Sequence, residues 1–242
     1  MTLTTKHQRL AALRPLLPES VASLAAAWDV RMVYESNSIE GNSLTLRETE
    51  IVLSKGVTVS GKPLKDHMEA VNLMQAWERV KELAKADTSL TENNLLELHR
   101  IVLTRVEDSF AGSYRTSTVR IAGANFIPPN PIKVPDLMTE LFAGLITIAD
   151  PVERAARLHH GIAHIHPFAD GNGRTARLAM NFILLAAGYP PISIPTDLRQ
   201  AYYSALEAAD SGDFPAWQNF LNTQLEQELD TWLGALEETE DI

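Results

Sequence analysis

The sequence predicts an all-α protein carrying one small β-hairpin. Apolar residues recur at helical spacing along most of the chain, with capping residues and glycines where the runs end. One segment, 112–129, reads instead as short β-branched and apolar runs around a glycine turn. The chain has 242 residues and 45% hydrophobic content, enough to bury a sizeable core as one elaborated domain.

Val21 to Ile39 is alanine-rich and free of Pro and Gly, so it reads as a helix with its stop at Gly41. Thr45 with Glu48 forms a candidate capping box for a helix ending near Gly56. The loop from Val57 to Pro63 is the best internal linker. It divides an N-terminal helical region, 1–56, from a larger unit, 57–236, although the flanking helices look continuous with one core. Helices are expected from about Leu64 to Ala86 and from Thr91 to about Leu103. After the hairpin they are expected at Asp136 to Ile148, Val152 to Ile165, Arg174 to Ala187, Leu198 to Ala209 and Pro215 to Leu236. The ending, 237–242, reads as a frayed, solvated acidic tail. No internal repeat is visible.

The chemistry is concentrated between His166 and Arg177, immediately before the apolar helical run Leu178 to Ala187. Gly171 and Gly173 can take backbone angles closed to other residues and expose consecutive amides, and the following helix points its positive end at the same place. An anion belongs there. Arg174 and Arg177 are three apart, so both reach one side of it, and planar guanidiniums suit phosphate oxygens. Asp170 at the lip would repel phosphate unless a hard divalent cation lay between them, and magnesium shared by a carboxylate and nucleotide phosphates is the usual solution. His166 is placed to accept a proton. A glycine-rich turn capping a core helix would explain the glycines, but not the His, Asp and Arg around them.

This stretch resembles the signature of the Fic family, also called Fic/Doc: His-x-Phe-x-Asp/Glu-Gly-Asn-Gly-Arg-x-x-Arg. His166 to Arg177 match it at every specified position. The resemblance implies a Fic-type helical fold with a hairpin flap at 112–129 and a catalytic core over 57–236. It implies a protein adenylyltransferase that moves AMP from ATP, with Mg2+, to a Ser, Thr or Tyr hydroxyl of a target protein, or of the enzyme itself. In that scheme His166 is the general base and Asp170 holds the metal. Gly171, Asn172, Gly173 and Arg174 form the anion hole, Arg177 holds the terminal phosphate, and Phe168 anchors the loop. Doc-like members, which phosphorylate, have Lys in place of the glycine at Gly173 and no arginine matching Arg177. This chain has both features of the AMP-transferring type, while UMP and phosphocholine donors stay open.

A second segment, Ser36 to Asn42, resembles the family's inhibitory motif, Ser/Thr-x-x-x-Glu-Gly/Asn. The resemblance makes Ser36, Glu40 and Gly41 regulatory residues at the end of an inhibitory helix at about 20–41. Glu40 would pair with Arg177 and occupy the space of the γ-phosphate. No separate antitoxin protein would then be needed. Whether Glu40 also orients water to remove AMP stays open, and control of Glu40 through homo-oligomerisation is a further expectation. The plain alternative is an exposed glutamate beside a turn.

The hairpin runs from Gly112 through Val119, Arg120, Ile121 and Ala122 to a turn at Gly123, Ala124 and Asn125, then Phe126, Ile127 and the break at Pro128. It resembles the family's flap, which implies docking of an extended, hydroxyl-bearing target segment by β-augmentation. A connector hairpin covering the core is the alternative.

A net charge of −10 argues against a general nucleic-acid surface. The chain has no cysteine, which excludes disulfides, thiol catalysis and thiolate metal sites and fits a reducing compartment. There is no signal-peptide pattern and no apolar segment long enough to span a bilayer, so a cytoplasmic protein without membrane contact is expected. Two other functions compete. His160 and His164 have the i, i+4 spacing that chelates a transition metal, with Asp170 as a third ligand, which would make a metal-dependent hydrolase. Against this, the apolar setting suits packed core histidines, His159 included. The cradle would also serve a nucleotide-sensing switch that does not turn over.

Overall fold

The computed structural model describes residues 2–13, 18–86, 89–121 and 126–240. Ten α-helices and two short 3-10 turns lie among them. α1 (Leu3–Ala12) was not expected from the sequence, because it buries only Leu10. It is capped by the Thr2 side chain and held on the C-terminal helix by Lys6, whose Nζ lies 2.9 Å from Glu226 and 2.7 Å from Asp230.

α2 (Pro18–Ile39) buries Trp28, Met32, Val33, Ser36 and Ile39 along one face. Its end is a Schellman arrangement: the Gly41 N–H donates to the Ser38 carbonyl, the Asn42 N–H donates to the Asn37 carbonyl, and Gly41 sits at φ 94°. α3 (Leu46–Lys55) starts at the Thr45/Glu48 capping box and stops at Gly56 in the left-handed region. α4 (Leu64–Lys85) packs against α2 and α3, with Trp77 tilted on Trp28 at 5.2 Å and its Nε1 donating to Asp29. The N-terminal region therefore shares the core of the larger unit. α5 (Glu92–Leu103) opens on a Thr91/Asn94 capping box.

A 3-10 turn, Pro131–Lys133, leads into α6 (Val134–Leu145), which starts before the expected Asp136 because Pro135 suits a first helical turn. α7 (Pro151–Ile165) and α8 (Asn172–Ala186) follow, and α8 is buried on nearly every side among α7, α4 and α5. Its apolar run is thus the centre of the core. A second 3-10 turn, Thr196–Leu198, precedes α9 (Arg199–Asp210). α10 (Phe214–Glu240) then covers α9, α1 and part of α2, where Arg31 pairs with Glu228.

Two expectations need correction. Among the described residues there is no strand: Val119, Arg120, Ile121, Phe126 and Ile127 are irregular, while Ala122 and the turn at 123–125 lie outside the described residues. Arms this short offer few ladder bonds. The segment is instead gathered at its base by the Arg115 guanidinium, which donates to the carbonyls of Ser117 and Pro129 at 3.0 and 2.6 Å. The acidic ending is no separate tail through residue 240, because α10 continues to Glu240; Asp241 and Ile242 lie outside the described residues. No helix among the described residues is long and apolar enough to cross a membrane.

Candidate active site

The site is built where α7 ends and α8 begins. His166 caps α7 in the left-handed conformation, φ 50°, a strained choice for a residue other than glycine. Arg115, buried, holds that turn. Its Nε donates to the His166 carbonyl at 2.7 Å, its Nη2 to the Ile165 carbonyl at 3.4 Å, and its backbone N–H to Pro167 at 2.9 Å. The His166 Nδ1 faces the Ala163 carbonyl at 3.4 Å, which can only accept, so Nδ1 carries the proton and Nε2 keeps its lone pair. Burial pushes the imidazole pKa below its ordinary value, so the ring is neutral and able to take a proton at neutral pH.

The loop from Pro167 to Gly171 is locked from inside. Phe168 is 0% exposed and stacks on His99 with centroids 3.7 Å apart. The Asn172 side chain closes a two-bond ring with the Phe168 backbone, accepting its N–H and donating to its carbonyl, both at 2.9 Å. Only the backbone amide of Asn172 is thus left for an anion. His99 accepts the Gly112 N–H on Nδ1 and donates from Nε2 to the Asp170 carbonyl, both at 3.0 Å. Burial lowers its pKa to about 4, so it is a neutral rivet of fixed tautomer. Gly171, φ 76°, then starts α8, and no side chain caps that helix, which leaves its first amides to face a ligand.

Asp170 is half exposed, and its Oδ1 takes both protein contacts: the Gly171 N–H at 2.6 Å and the Arg174 Nη2 at 3.6 Å. The second oxygen is left for a hard cation, and one carboxylate oxygen beside an anion cradle fits magnesium, which keeps most of its shell as water and phosphate. Arg174 is 2% exposed and its Nη1 is ion-paired with Glu69 at 3.1 Å, while its Nε makes no hydrogen bond.

Arg177 is the opposite case. Its Nε donates to the Ser36 hydroxyl and its Nη2 to the Ser36 carbonyl and the Glu40 carboxylate, all at 2.8 Å; its Nη1 reaches the Tyr202 hydroxyl at 3.4 Å. Burial opposes its charge, but Glu40 and Tyr202 outweigh that and raise its pKa. Tyr202, pushed up to about 12 by burial, stays protonated and donates to His159 at 3.0 Å. Burial, with Arg177 nearby, keeps His159 well below the ordinary histidine value. Gly173 makes room for this contact. A Cβ there would lie 2.2 Å from the Glu40 Oε1 and 3.0 Å from the Arg177 Nη1.

The fold brings Ser36, Glu40, Gly173 and Arg177 into direct contact and puts His166, Asp170 and Asn172 along the turn from the end of α7 to the first residue of α8. Gly41 serves the turn rather than a contact. Val119, Arg120 and Ile121 lie in the segment whose base Arg115 gathers. His160 and His164 meet a carboxylate, but it is Asp210 of α9, at 2.9 and 2.7 Å, not Asp170. Sequence reasoning missed His99, Arg115 and Tyr202. His99 was findable as the one ionisable group among Leu95, Leu98, Val102 and Leu103 on the buried face of α5. Nothing local marks Arg115.

The family model for the Fic/DOC family matches residues 89–184, which span this whole loop and both arginines. A Fic domain containing signaling protein from Bacteroides thetaiotaomicron superposes with a TM-score of 0.90 at 30% identity, covering 97% of this chain and 96% of that one. The chain belongs to the Fic/DOC family. Fic-1 (aa134–508) from C. elegans has a TM-score of 0.86 at 29% identity, with 98% of this chain and 72% of that one covered. In sequence, "Protein adenylyltransferase Fic" of Drosophila erecta is 35% identical over 237 residues, 96% of this chain. "Protein adenylyltransferase fic-1" of Caenorhabditis elegans is 33% identical over 216 residues, 86% of this chain. The chain spans 46% and 42% of the length of these two Fic relatives.

Proposed function

We propose that this Fic protein is an adenylyltransferase that transfers AMP from ATP to a hydroxyl of a target protein and is held inactive by its own Glu40. The observation that carries the proposal is the Glu40 carboxylate 2.8 Å from the Arg177 Nη2, seated over Gly173 at the start of α8. A carboxylate and a triphosphate compete for that guanidinium, so an ATP whose γ-phosphate is kept from Arg177 lies in a pose that cannot react. The names of the insect and nematode relatives support the same activity.

In the active state Arg177 and Arg174 bind phosphate oxygens, and the amides of Gly171, Asn172 and Gly173 stabilise charge developing at the α-phosphoryl group. His166 Nε2 takes the proton of an incoming Ser, Thr or Tyr hydroxyl. The hydroxyl oxygen bonds to the α-phosphorus, the bond from that phosphorus to the bridging oxygen breaks, and pyrophosphate leaves. Asp170 is the residue to hold Mg2+, which when bound neutralises phosphate charge. The segment carrying Val119, Arg120, Ile121 and Ala122 is the docking surface for an extended target segment. Glu40 is also the group positioned to orient water for removal of AMP. Cytoplasmic location, control by self-association and independence from an antitoxin protein belong to the same proposal.

The test is transfer of label from α-phosphate-labelled ATP with Mg2+, onto the protein and onto a lysate. Weak labelling in wild type, strong labelling in Glu40→Gly and none in Glu40→Gly/His166→Ala is expected. ATP binding without label in any variant would overturn the proposal in favour of a nucleotide-sensing switch.

A further inference from the structure

We propose that His160, His164 and Asp210 form a binding site for one divalent transition-metal ion of the zinc class, distinct from the nucleotide cradle. His160 and His164 stand one turn apart on the same face of α7, and Asp210 is the last residue of α9. The Asp210 Oδ1 lies 2.9 Å from the His160 Nε2 and 2.7 Å from the His164 Nδ1, and all three donor atoms fall within 4.8 Å of one another. Metal bonds of about 2.0–2.2 Å put tetrahedral donors about 3.3–3.5 Å apart, so the cluster needs to open by only about half an ångström.

The donor set fits this class of ion. Two imidazoles and a carboxylate are borderline ligands that favour zinc, cobalt or nickel over magnesium and calcium. As hydrogen bonds alone, both contacts converge on one carboxylate oxygen, and both rings must point a proton at it, from Nε2 in His160 and Nδ1 in His164. A cation replaces both protons at once. The site lies at the C-terminal end of α9, where the helix carbonyls favour positive charge. All three side chains are half-buried, which leaves an approach for the ion and for a water as fourth ligand. Aromatic rings wall two sides: Phe214 is edge-on to His160 at 5.9 Å, and Phe126 lies 4.3 Å from His164.

An ion here would fasten α7 to α9. His164 is two residues before His166. α9 carries Arg199, which donates to the Ile39 carbonyl at the end of α2 at 3.0 Å, and Tyr202, which contacts Arg177. The clamp thus sets the helix that touches both the end of the inhibitory helix and the phosphate-side arginine. It assigns binding and stiffening to this cluster, not hydrolysis.

The full chain, stripped with a chelator, would be titrated with Zn2+ in the presence of excess Mg2+, by calorimetry and by thermal unfolding. Co2+ would be added separately and its visible absorption recorded. One Zn2+ per chain, a rise in unfolding temperature and a tetrahedral Co2+ spectrum are expected. Asp210→Asn and His164→Gln, which keep shape and polarity, should each weaken Zn2+ at least tenfold and abolish the Co2+ bands, while Asp170→Asn should leave both unchanged. Absence of Zn2+ binding to the wild-type chain would overturn the proposal. So would binding that survives Asp210→Asn and His164→Gln, or binding that is lost with Asp170→Asn.

Discussion

Arg174 and Arg177 sit three residues apart on α8, both buried, and they are partnered in opposite ways. Arg177 has its donors engaged by Ser36, Glu40 and Tyr202. Arg174 is ion-paired through Nη1 with Glu69 and through Nη2 with Asp170, while its buried Nε makes no hydrogen bond. Arg174 is therefore held by two carboxylates with donors to spare, whereas Arg177 has its donors committed and must give up a partner before it can take another. Both still connect to the segment after α2. Arg177 meets it directly, and Arg174 meets it through Glu69, whose Oε2 accepts from Asn42 at 3.0 Å. Withdrawing the end of α2 therefore frees Arg177 and only loosens Arg174.

The largest effect expected is on Arg177. Arg177→Met strands the Ser36, Glu40 and Tyr202 groups and should lower stability by about 3 kcal/mol, read by denaturant unfolding. Acid should act on the other half of the site. His99 falls from 6.5 to about 4 on folding, so only the unfolded chain takes up its proton between those values. Stability is complete above pH 6.5 and declines towards pH 4, by up to about 3 kcal/mol from this residue. His99→Gln should flatten that part of the pH profile and leave the Glu40 contact in place. Gly173→Ala puts a methyl where the Glu40 carboxylate sits. The same methyl intrudes on the γ-phosphate's place beside Arg177, so AMP transfer by this variant should not rise above wild type, and adding it to Glu40→Gly should lower that variant's transfer about tenfold, equivalent to about 1.4 kcal/mol. The smallest change is expected for Arg174→Gln, at about 1 kcal/mol of stability in the ligand-free protein, because Glu69 keeps Asn42 and Lys65 as partners.

Much of this was legible in the residues. The Thr45/Glu48 box and the Gly56 stop fixed α3 to within a residue, because capping is local chemistry. The site loop could be read because its chemistry is contiguous. The pairing of Glu40 with Arg177, 137 positions apart, came from a resemblance and not from any local rule. α1 was invisible because a helix that buries one leucine has almost no apolar stripe. The segment around Val119 misled because β-branched residues satisfy a strand pattern even where a guanidinium gathers the chain instead. Asp210 as the partner of His160 and His164 had no signal at all, since sequence spacing cannot say which distant helix end will arrive.

Trp217 gives the site a spectroscopic consequence. Its indole stacks on His159 at 4.6 Å and donates to the Ala156 carbonyl, while His159 is joined through the Tyr202 hydroxyl to Arg177. Any event that re-aims Arg177 removes the donor that the Tyr202 hydroxyl accepts from, and so alters the hydrogen bond to the ring against which this indole emits. With the other tryptophans replaced by phenylalanine, the colour and lifetime of Trp217 fluorescence become an internal optical gauge of whether the contact between Glu40 and Arg177 is closed or open, read without label or substrate.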